Sequence, residues 1–203
     1  MFRHPREASA ETAEAKEEKS EKRELPAHFD PEDKYKLKPE TKYEASGYYY
    51  ETDKQGRIVH AEGTLRLDKE TKANLTHQRK AGGADRRTKE GGWETVDDGG
   101  HYFARRFGGS GKIDNLFAQD RHFNRSDYKK MEDEFEKKLQ EKNEDGSQKY
   151  TVQVRIQSKY EGNSQRPSKI YVKAKFTDSE GYTQYKQYPF KNEADDNPRI
   201  KTR

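Results

Sequence analysis

The sequence contains no cysteine, which excludes disulfide bonds, thiolate nucleophiles and zinc sites built from cysteine. It has no run of about 18 apolar residues, the length that a membrane-spanning helix needs. The N-terminus is charged where a secretory signal peptide would be apolar. We therefore expect neither a membrane span nor a cleavable signal peptide.

Apolar residues are also scarce, at 28% of the 203 residues against 39% charged ones. Residues 8–24 are rich in Ala, Glu and Lys but have no apolar stripe that could pack on a core, which indicates a solvated linker or a lone helix. The pattern changes near Tyr35. We predict a charged N-terminal segment over 1–34 and one folded domain over 35–203.

The charge is unevenly distributed between these two parts. Residues 1–34 hold 7 of the 42 Lys and Arg residues and 10 of the 38 Asp and Glu residues, so the predicted domain is the basic part. A basic balance favours a polyanionic partner such as nucleic acid, although many basic domains have none.

Residue periodicity predicts an α+β fold. Alternating apolar residues indicate strands near residues 150–156 and 170–176, with a third near 185–190, and shorter strand patterns follow residue 43. Residues 124–142 have the three- and four-residue apolar spacing of a helix. Residues 73–92 are polar and contain glycine, so they are predicted to form a loop.

Two side chains on the predicted helix could carry chemistry. Asn124 and Glu132 share its apolar stripe, and an inward carboxamide and carboxylate suit a hard cation bound by oxygen atoms. Alternatively, Glu132 lies at the edge of the stripe, reaches solvent and pairs with Lys129, three residues before it.

His101 follows Gly99 and Gly100, which would let another chain approach the backbone closely. An imidazole with a pKa of about 6.5 can act as a general base near neutral pH. Taken alone, a histidine here is more often a packed or exposed turn residue. The other five histidines have no ligand-like spacing.

The ordered combination is more specific than any of its parts. The segments GGADRR, DDGGHYFARRFGGSG, IDNLFAQ and FNRSDYKKMEDEFEKKL resemble the DNA/RNA non-specific endonuclease family, which belongs to the ββα-metal, or His-Me finger, nucleases. The resemblance spans about residues 43–178. Gly99 replaces the Arg of the family motif, as in the branch found in polymorphic toxins and type VII secretion effectors of Gram-positive bacteria. The resemblance implies a central antiparallel sheet with a ββα-metal catalytic core.

The resemblance also implies roles for individual residues. His101 would be the general base and Asn124 the protein ligand of a divalent ion. Glu132, about 12 Å further along the helix axis, would orient water in the outer shell of that ion. Asn115 would be a further active-site residue that binds substrate, and Asp98 would shape the loop. Without the motif Arg, the candidates for the phosphate clamp are Arg86, Arg79 and Arg105, in that order.

The function implied is metal-dependent hydrolysis of phosphodiester bonds, with Mg²⁺ as the cofactor and Mn²⁺ as an alternative. DNA is the expected first substrate and RNA the second, bound through the backbone because no base-reading motif is present. The resemblance also implies that the chain is the toxin domain of a secreted effector with a cognate immunity protein. It would be secreted by a route without a cleavable signal peptide, or be cytoplasmic before export. The rival hypothesis is a catalytically inactive module that keeps the fold and binds nucleic acid or another partner.

Overall fold

The computed structural model describes residues 25–69, 72–83, 89–90, 93–94 and 97–193. Its strands are β1 (Lys42–Ala45), β2 (Tyr48–Thr52), β3 (Ile58–Thr64), β4 (Lys89–Glu90), β5 (Trp93–Glu94), β6 (Asp97–His101), β7 (Leu116–Asp120), β8 (Tyr150–Tyr160), β9 (Pro167–Asp178) and β10 (Thr183–Lys191). Its helices are α1 (Leu75–Ala81), α2 (Arg121–Phe123) and α3 (Lys129–Gln140), with 3₁₀ turns at Arg105–Phe107 and Ile113–Asn115. The α+β prediction is confirmed.

Six strands form an antiparallel sheet in the order β1-β2-β3-β8-β9-β10, and two-residue β4 and β5 pair separately. Along β8 and β9 every second side chain is buried, as expected for strands with one face on a core and one in solvent. We call these the inner and the outer face. The predicted strands near residues 150–156, 170–176 and 185–190 are therefore confirmed.

The helix predicted over 124–142 starts three residues earlier and ends two residues earlier. It consists of α2, a π-helical turn over Asn124–Tyr128 and α3, in direct succession. Phe135 of α3 packs against Phe176 and Tyr188, so the helix covers the inner face of the sheet. The π turn adds one residue to a helical turn, a distortion often found at functional sites.

A second two-stranded ribbon, β6 paired with β7, leads directly into this helix. The Asp120 carboxylate accepts a hydrogen bond from the Phe123 backbone N–H at 3.0 Å and so caps the helix where the strand ends. Tyr102, just after β6, donates a hydrogen bond to the Ile58 carbonyl at 3.2 Å and contacts Ser158 on the inner face at 2.8 Å. The ribbon and the helix therefore form one unit on the inner face.

The folded part begins before Tyr35, the predicted boundary. Phe29 is only 2% exposed and belongs to the hydrophobic core. His28 stacks on Tyr43 at 4.2 Å between ring centroids, and its ring nitrogen lies 3.1 Å from the Asp114 carboxylate. Single buried side chains between prolines have no periodicity, which is why the sequence pattern missed them. The predicted character of residues 1–24 lies outside the described residues.

The predicted loop over 73–92 contains helix α1. Asn74 caps it by accepting a hydrogen bond from the His77 backbone N–H at 3.1 Å. The helix buries only His77 and Ala81, a stripe too short to recognise in a sequence. Its formation depends on packing against β6 rather than on its own pattern.

None of the helices in the described ranges is long and apolar enough to span a membrane.

Candidate active site

The two glycines before His101 allow close packing on opposite faces of the ribbon. A Cβ on Gly99 would lie 2.3 Å from the Gln78 backbone oxygen in α1. A Cβ on Gly100 would lie 1.7 Å from Oε1 of Gln119 in β7. Gly99 therefore stands where the family motif has Arg because the backbone of α1 occupies that space, and no side chain fits there.

Asp98 connects the ribbon to the helix through three donors. Its carboxylate accepts hydrogen bonds from Arg121 Nε at 3.2 Å, Asn124 Nδ2 at 3.1 Å and Arg125 Nε at 3.1 Å. An ionised carboxylate can only accept, so the NH₂ group of Asn124 must face Asp98. The carbonyl oxygen of Asn124 then points away from Asp98 and can accept from, or ligate, another group.

A second contact joins the same strand and helix further along. Tyr128 in the π turn donates a hydrogen bond to the Tyr102 carbonyl at 3.0 Å. His101 and Asn124 thus lie on two segments that are linked at both ends, by Asp98 to Asn124 and by Tyr102 to Tyr128. Among the described residues, no hydrogen bond or ion pair joins the His101 ring to Asn124 or Glu132.

The His101 ring is largely buried, and its Nε2 has no hydrogen-bond partner in the described structure. Burial, with a smaller contribution from the Arg105 guanidinium, lowers the pKa of His101 from 6.5 to about 4. Both causes disfavour the cationic ring. The imidazole is therefore neutral near pH 7, and its buried Nε2 has no partner among the described residues.

Gln119 is a further polar residue of this ribbon, to which the sequence analysis gave no role. Its side-chain nitrogen and oxygen are both buried, and neither has a hydrogen-bond partner within the described part of the chain. The side chain lies over Gly100, next to His101 in sequence. Buried amides in proteins are rarely left unsatisfied, so this one stands out among the buried polar groups of the ribbon.

Glu132 points inward, with 17% of its side chain exposed. Burial raises the pKa of Glu132 to about 8, opposed by Arg106, whose Nη2 lies 3.7 Å from its carboxylate. The effect of burial on this pKa exceeds that of Arg106, because Arg106 makes closer ion pairs with Asp133 at 2.7 Å and Glu136 at 2.6 Å. Lys129 pairs with Asp133 at 2.6 Å, so Glu132 has neither the solvent position nor the Lys129 ion pair of the alternative interpretation.

Asn115 is fully buried, and its amide is used within the protein. Its oxygen accepts hydrogen bonds from the Tyr50 hydroxyl and the Phe103 backbone N–H, at 2.8 and 3.0 Å. Its NH₂ group donates to the Phe103 and Ser110 carbonyls, each at 2.8 Å. These contacts fix the segment that follows His101 and leave no exposed amide atom for substrate.

The three predicted phosphate-binding arginines have different positions. Arg79 is exposed on α1, one residue after the Gln78 backbone that covers Gly99. Arg105 lies close enough to His101 to affect its pKa. Arg86 lies outside the described residues. Sequence reasoning did not identify Arg121 and Arg125, which flank Asn124 on the helix; their spacing of four around the predicted ligand was the available signal.

A two-stranded ribbon that leads into a helix, with a buried histidine on the ribbon and an asparagine near the helix start, defines the ββα class of nucleases. The chain belongs to the DNA/RNA non-specific endonuclease family, whose sequence profile matches residues 39–178, and it is an endonuclease by class. A solved structure named "extracellular endonuclease" has a similar fold, with a TM-score of 0.51 at 18% sequence identity, and the match covers 86% of this chain and 94% of that one.

Curated relatives are similar over 139 residues. The type VII secretion system protein EssD of Staphylococcus aureus strains USA300 and NCTC 8325 is 38% identical over that length, which is 66% of this chain. The match covers only 20% of the length of these relatives. The chain therefore corresponds to about a fifth of each relative.

Proposed function

We propose that the chain is a metal-dependent, sugar-non-specific endonuclease that hydrolyses phosphodiester bonds of DNA first and RNA second. The observation that carries the proposal is the neutral, unpartnered His101 ring on a ribbon that is tethered to the helix bearing Asn124. A general base must be unprotonated and must have an unoccupied nitrogen. His101 meets both conditions near pH 7, although burial makes it a weaker base than a histidine in water.

The donor set fits a hydrated divalent cation. Mg²⁺ loses water reluctantly and is often bound by one or two protein oxygens, with water and substrate phosphate completing its shell. Asn124, oriented by Asp98, offers one such oxygen, and Mn²⁺ would suit the same ligand. No cluster of three His, Asp or Glu suited to a metal occurs among the described residues, and a cation held mainly by water needs none.

In the proposed reaction His101 takes a proton from water, which attacks the phosphorus atom. A divalent cation bound there would stabilise charge on the phosphoryl group and on the leaving 3′ oxygen. Glu132, which its raised pKa leaves largely protonated near pH 7, would hydrogen-bond to water in the outer shell of the site. Asn115 would act by positioning rather than by touching substrate, because its amide holds the segment after His101.

Guanidinium groups near Asn124 could bind the scissile phosphate in place of the missing motif Arg. Arg121 and Arg125 contact Asp98 through Nε, and their terminal nitrogens form none of the described hydrogen bonds. Two guanidinium groups against one carboxylate leave a net positive charge beside Asn124. We add both residues to Arg79, Arg105 and Arg86 as candidates for the clamp.

The test is plasmid cleavage with Mg²⁺ and with EDTA. His101→Ala should lower the rate by at least about 100-fold, the lower range for loss of a general base. The matched control is His122→Ala, because His122 is an exposed histidine of the same ribbon–helix unit. Full activity of His101→Ala, or equal cleavage in EDTA, would reject the mechanism.

The rival function, a catalytically inactive nucleic-acid-binding module, is favoured by one observation. The space of the motif Arg is filled by the backbone of α1, so the usual phosphate clamp cannot form at position 99. The plasmid assay distinguishes the endonuclease from the inactive module, because an inactive module would shift plasmid mobility at low salt and leave the plasmid intact.

We further propose that the chain is the toxin domain of a secreted effector and that a cognate immunity protein restrains it. The support is its likeness to EssD, which is named as a type VII secretion system protein. Expression in bacterial cytoplasm should reduce viable counts for the wild type but not for His101→Ala. Equal growth of both strains at equal protein levels would contradict the toxin role.

A further inference from the structure

The outer face of the sheet is strongly divided by charge. On β8, β9 and β10 the acidic residues are limited to Asp178, at the end of β9. Six outward cations share this surface, which we call the basic sheet face: Arg155, Lys159, Lys169, Lys173, Lys175 and Lys191. The outer face of β1 to β3 instead carries three acidic residues, Glu44, Glu51 and Glu62, with Lys42 as its one lysine.

The strand register places these cations directly opposite one another. Lys159 pairs with Lys169 and Lys169 pairs with Lys191, which makes a row of three across three strands, and Arg155 pairs with Lys173. Like charges in directly opposed positions destabilise a sheet. This arrangement therefore opposes folding, and a polyanion bound across the strands would remove the repulsion.

Few of these cations are neutralised within the protein. Arg155 binds Glu62 at 2.9 Å, and Lys191 lies 3.8 Å from Glu193. Within the described ranges, Lys159, Lys169, Lys173 and Lys175 form no ion pair. Lysines on an edge strand can serve to prevent sheet-to-sheet aggregation, but these four lie on the interior strands β8 and β9, where that explanation does not apply.

The surface also offers shape and aromatic contacts. A groove of about 360 Å³ crosses it, lined by Arg155, Lys173, Lys175 and Tyr185 among others. Tyr185 is 71% exposed. Exposed aromatic rings beside a basic groove are a feature of surfaces that bind single-stranded nucleic acid without sequence preference.

We propose that the basic sheet face is a second binding surface for the nucleic-acid backbone, separate from the active site. The ribbon–helix unit contacts the inner face, so a short duplex cannot reach both sites across the sheet. A long substrate can occupy both sites, because one segment can bind in the active site while a second segment binds the basic sheet face. The choice of nucleic acid as the polyanion rests on the proposed function, whereas the anion-binding surface rests on charge and register alone.

The test variant combines K159Q, K169Q, K173Q and K175Q. These substitutions remove four charges and keep polar side chains of similar size. The matched control combines K54Q, K130Q, K137Q and K142Q, which are exposed lysines away from this face. Both sets are placed in a His101→Ala background, and binding of a fluorescent 40-bp duplex is followed by anisotropy across a salt series. Thermal unfolding checks the fold, and the pairs K159Q/K169Q and K173Q/K175Q replace the fourfold variant if it unfolds.

We expect the fourfold variant to bind at least about tenfold more weakly at 100 mM salt, with the slope of log K against log salt reduced by about 3 to 4. The control should change affinity by less than about twofold. Unchanged binding in the variant, or an equal loss in the control, would overturn the proposal. It would also be overturned if poly-glutamate bound this face more tightly than the duplex, since that would indicate an acidic protein partner.

Activity measurements keep this proposal distinct from the proposed function. In the active enzyme, the variant should raise KM for plasmid without changing kcat, and it should leave hydrolysis of bis(4-nitrophenyl) phosphate and of an 8-bp duplex unchanged. Equal effects on long and short substrates would contradict a separate surface. A wild-type chain that binds the 40-bp duplex through this face but cleaves nothing would reject the proposed function alone.

Discussion

Asp98 is a single residue on which the position of the proposed metal ligand depends. It holds the Asn124 amide and two guanidinium groups on one carboxylate. Asp98→Ala should release the amide and raise the Mg²⁺ concentration needed for half-maximal cleavage by about 10- to 100-fold, as is usual when a group that orients a metal ligand is lost. Asp127→Ala, which removes an exposed partner of Lys130, is the control. An unchanged Mg²⁺ requirement would show that Asp98 does not position Asn124.

His101 should make stability depend on pH in a defined range. Burial lowers its folded-state pKa to about 4, against about 6.5 in the unfolded chain. Between these values the unfolded chain binds a proton that the folded protein does not, so this residue makes stability fall as pH decreases from 6.5 to 4. The full effect is about 3 kcal/mol at most.

The measurement is the free energy of unfolding in urea from pH 4 to 7. His101→Gln should reduce the loss of stability toward pH 4 relative to the wild type, while His122→Gln, at an exposed position, should follow the wild-type curve. Parallel curves for wild type and His101→Gln would contradict a buried neutral ring.

At the scale of elements, the packing of α1 against β6 depends on the absence of a side chain at position 99. Gly99→Ala places a Cβ 2.3 Å from the Gln78 backbone oxygen. Displacing backbone atoms costs more free energy than displacing the end of a flexible side chain. We expect a loss of about 1 to 3 kcal/mol, the usual cost of overpacking. Gly111→Ala, whose nearest contact would be 3.2 Å, should cost less in the same denaturation assay. Equal losses would argue against a specific α1–β6 contact.

The long elements could be predicted from sequence because each shows its own periodicity. Residues 150–156 and 170–176 alternate strictly, and Tyr128, Met131, Phe135 and Leu139 repeat at helical spacing. The π turn could not be predicted, because it depends on tertiary contacts such as that of Tyr128 with Tyr102.

The sequence motif could propose residues for the candidate site, but it could not give their contacts. The motif gave His101, Asn124 and Glu132. It could not give Arg106 as the partner of Glu132, because these residues are 26 positions apart and meet only when the helix packs against the segment after β6. The full use of the Asn115 amide within the protein is likewise a result of the folded state.

At the scale of the whole molecule, the core extends into the segment before Tyr35. A chain of residues 35–203 lacks Phe29 and the contact between His28 and Asp114, whereas a chain of residues 25–203 keeps both. The shorter chain should be less stable by at least about 3 kcal/mol, the lower range for removing a buried Phe side chain. Urea unfolding of the two proteins checks this. Equal midpoints would place the domain boundary at Tyr35.

The division of charge gives the outer face of the sheet an electrostatic gradient from β1 to β10. Its negative end lies toward β1 and its positive end toward β10. When a polyanion approaches this face, the gradient favours orientations in which β8 to β10 make the first contact. Because the Debye length is about 8 Å at physiological ionic strength, this orientation acts only in the last nanometre and weakens further as salt is added.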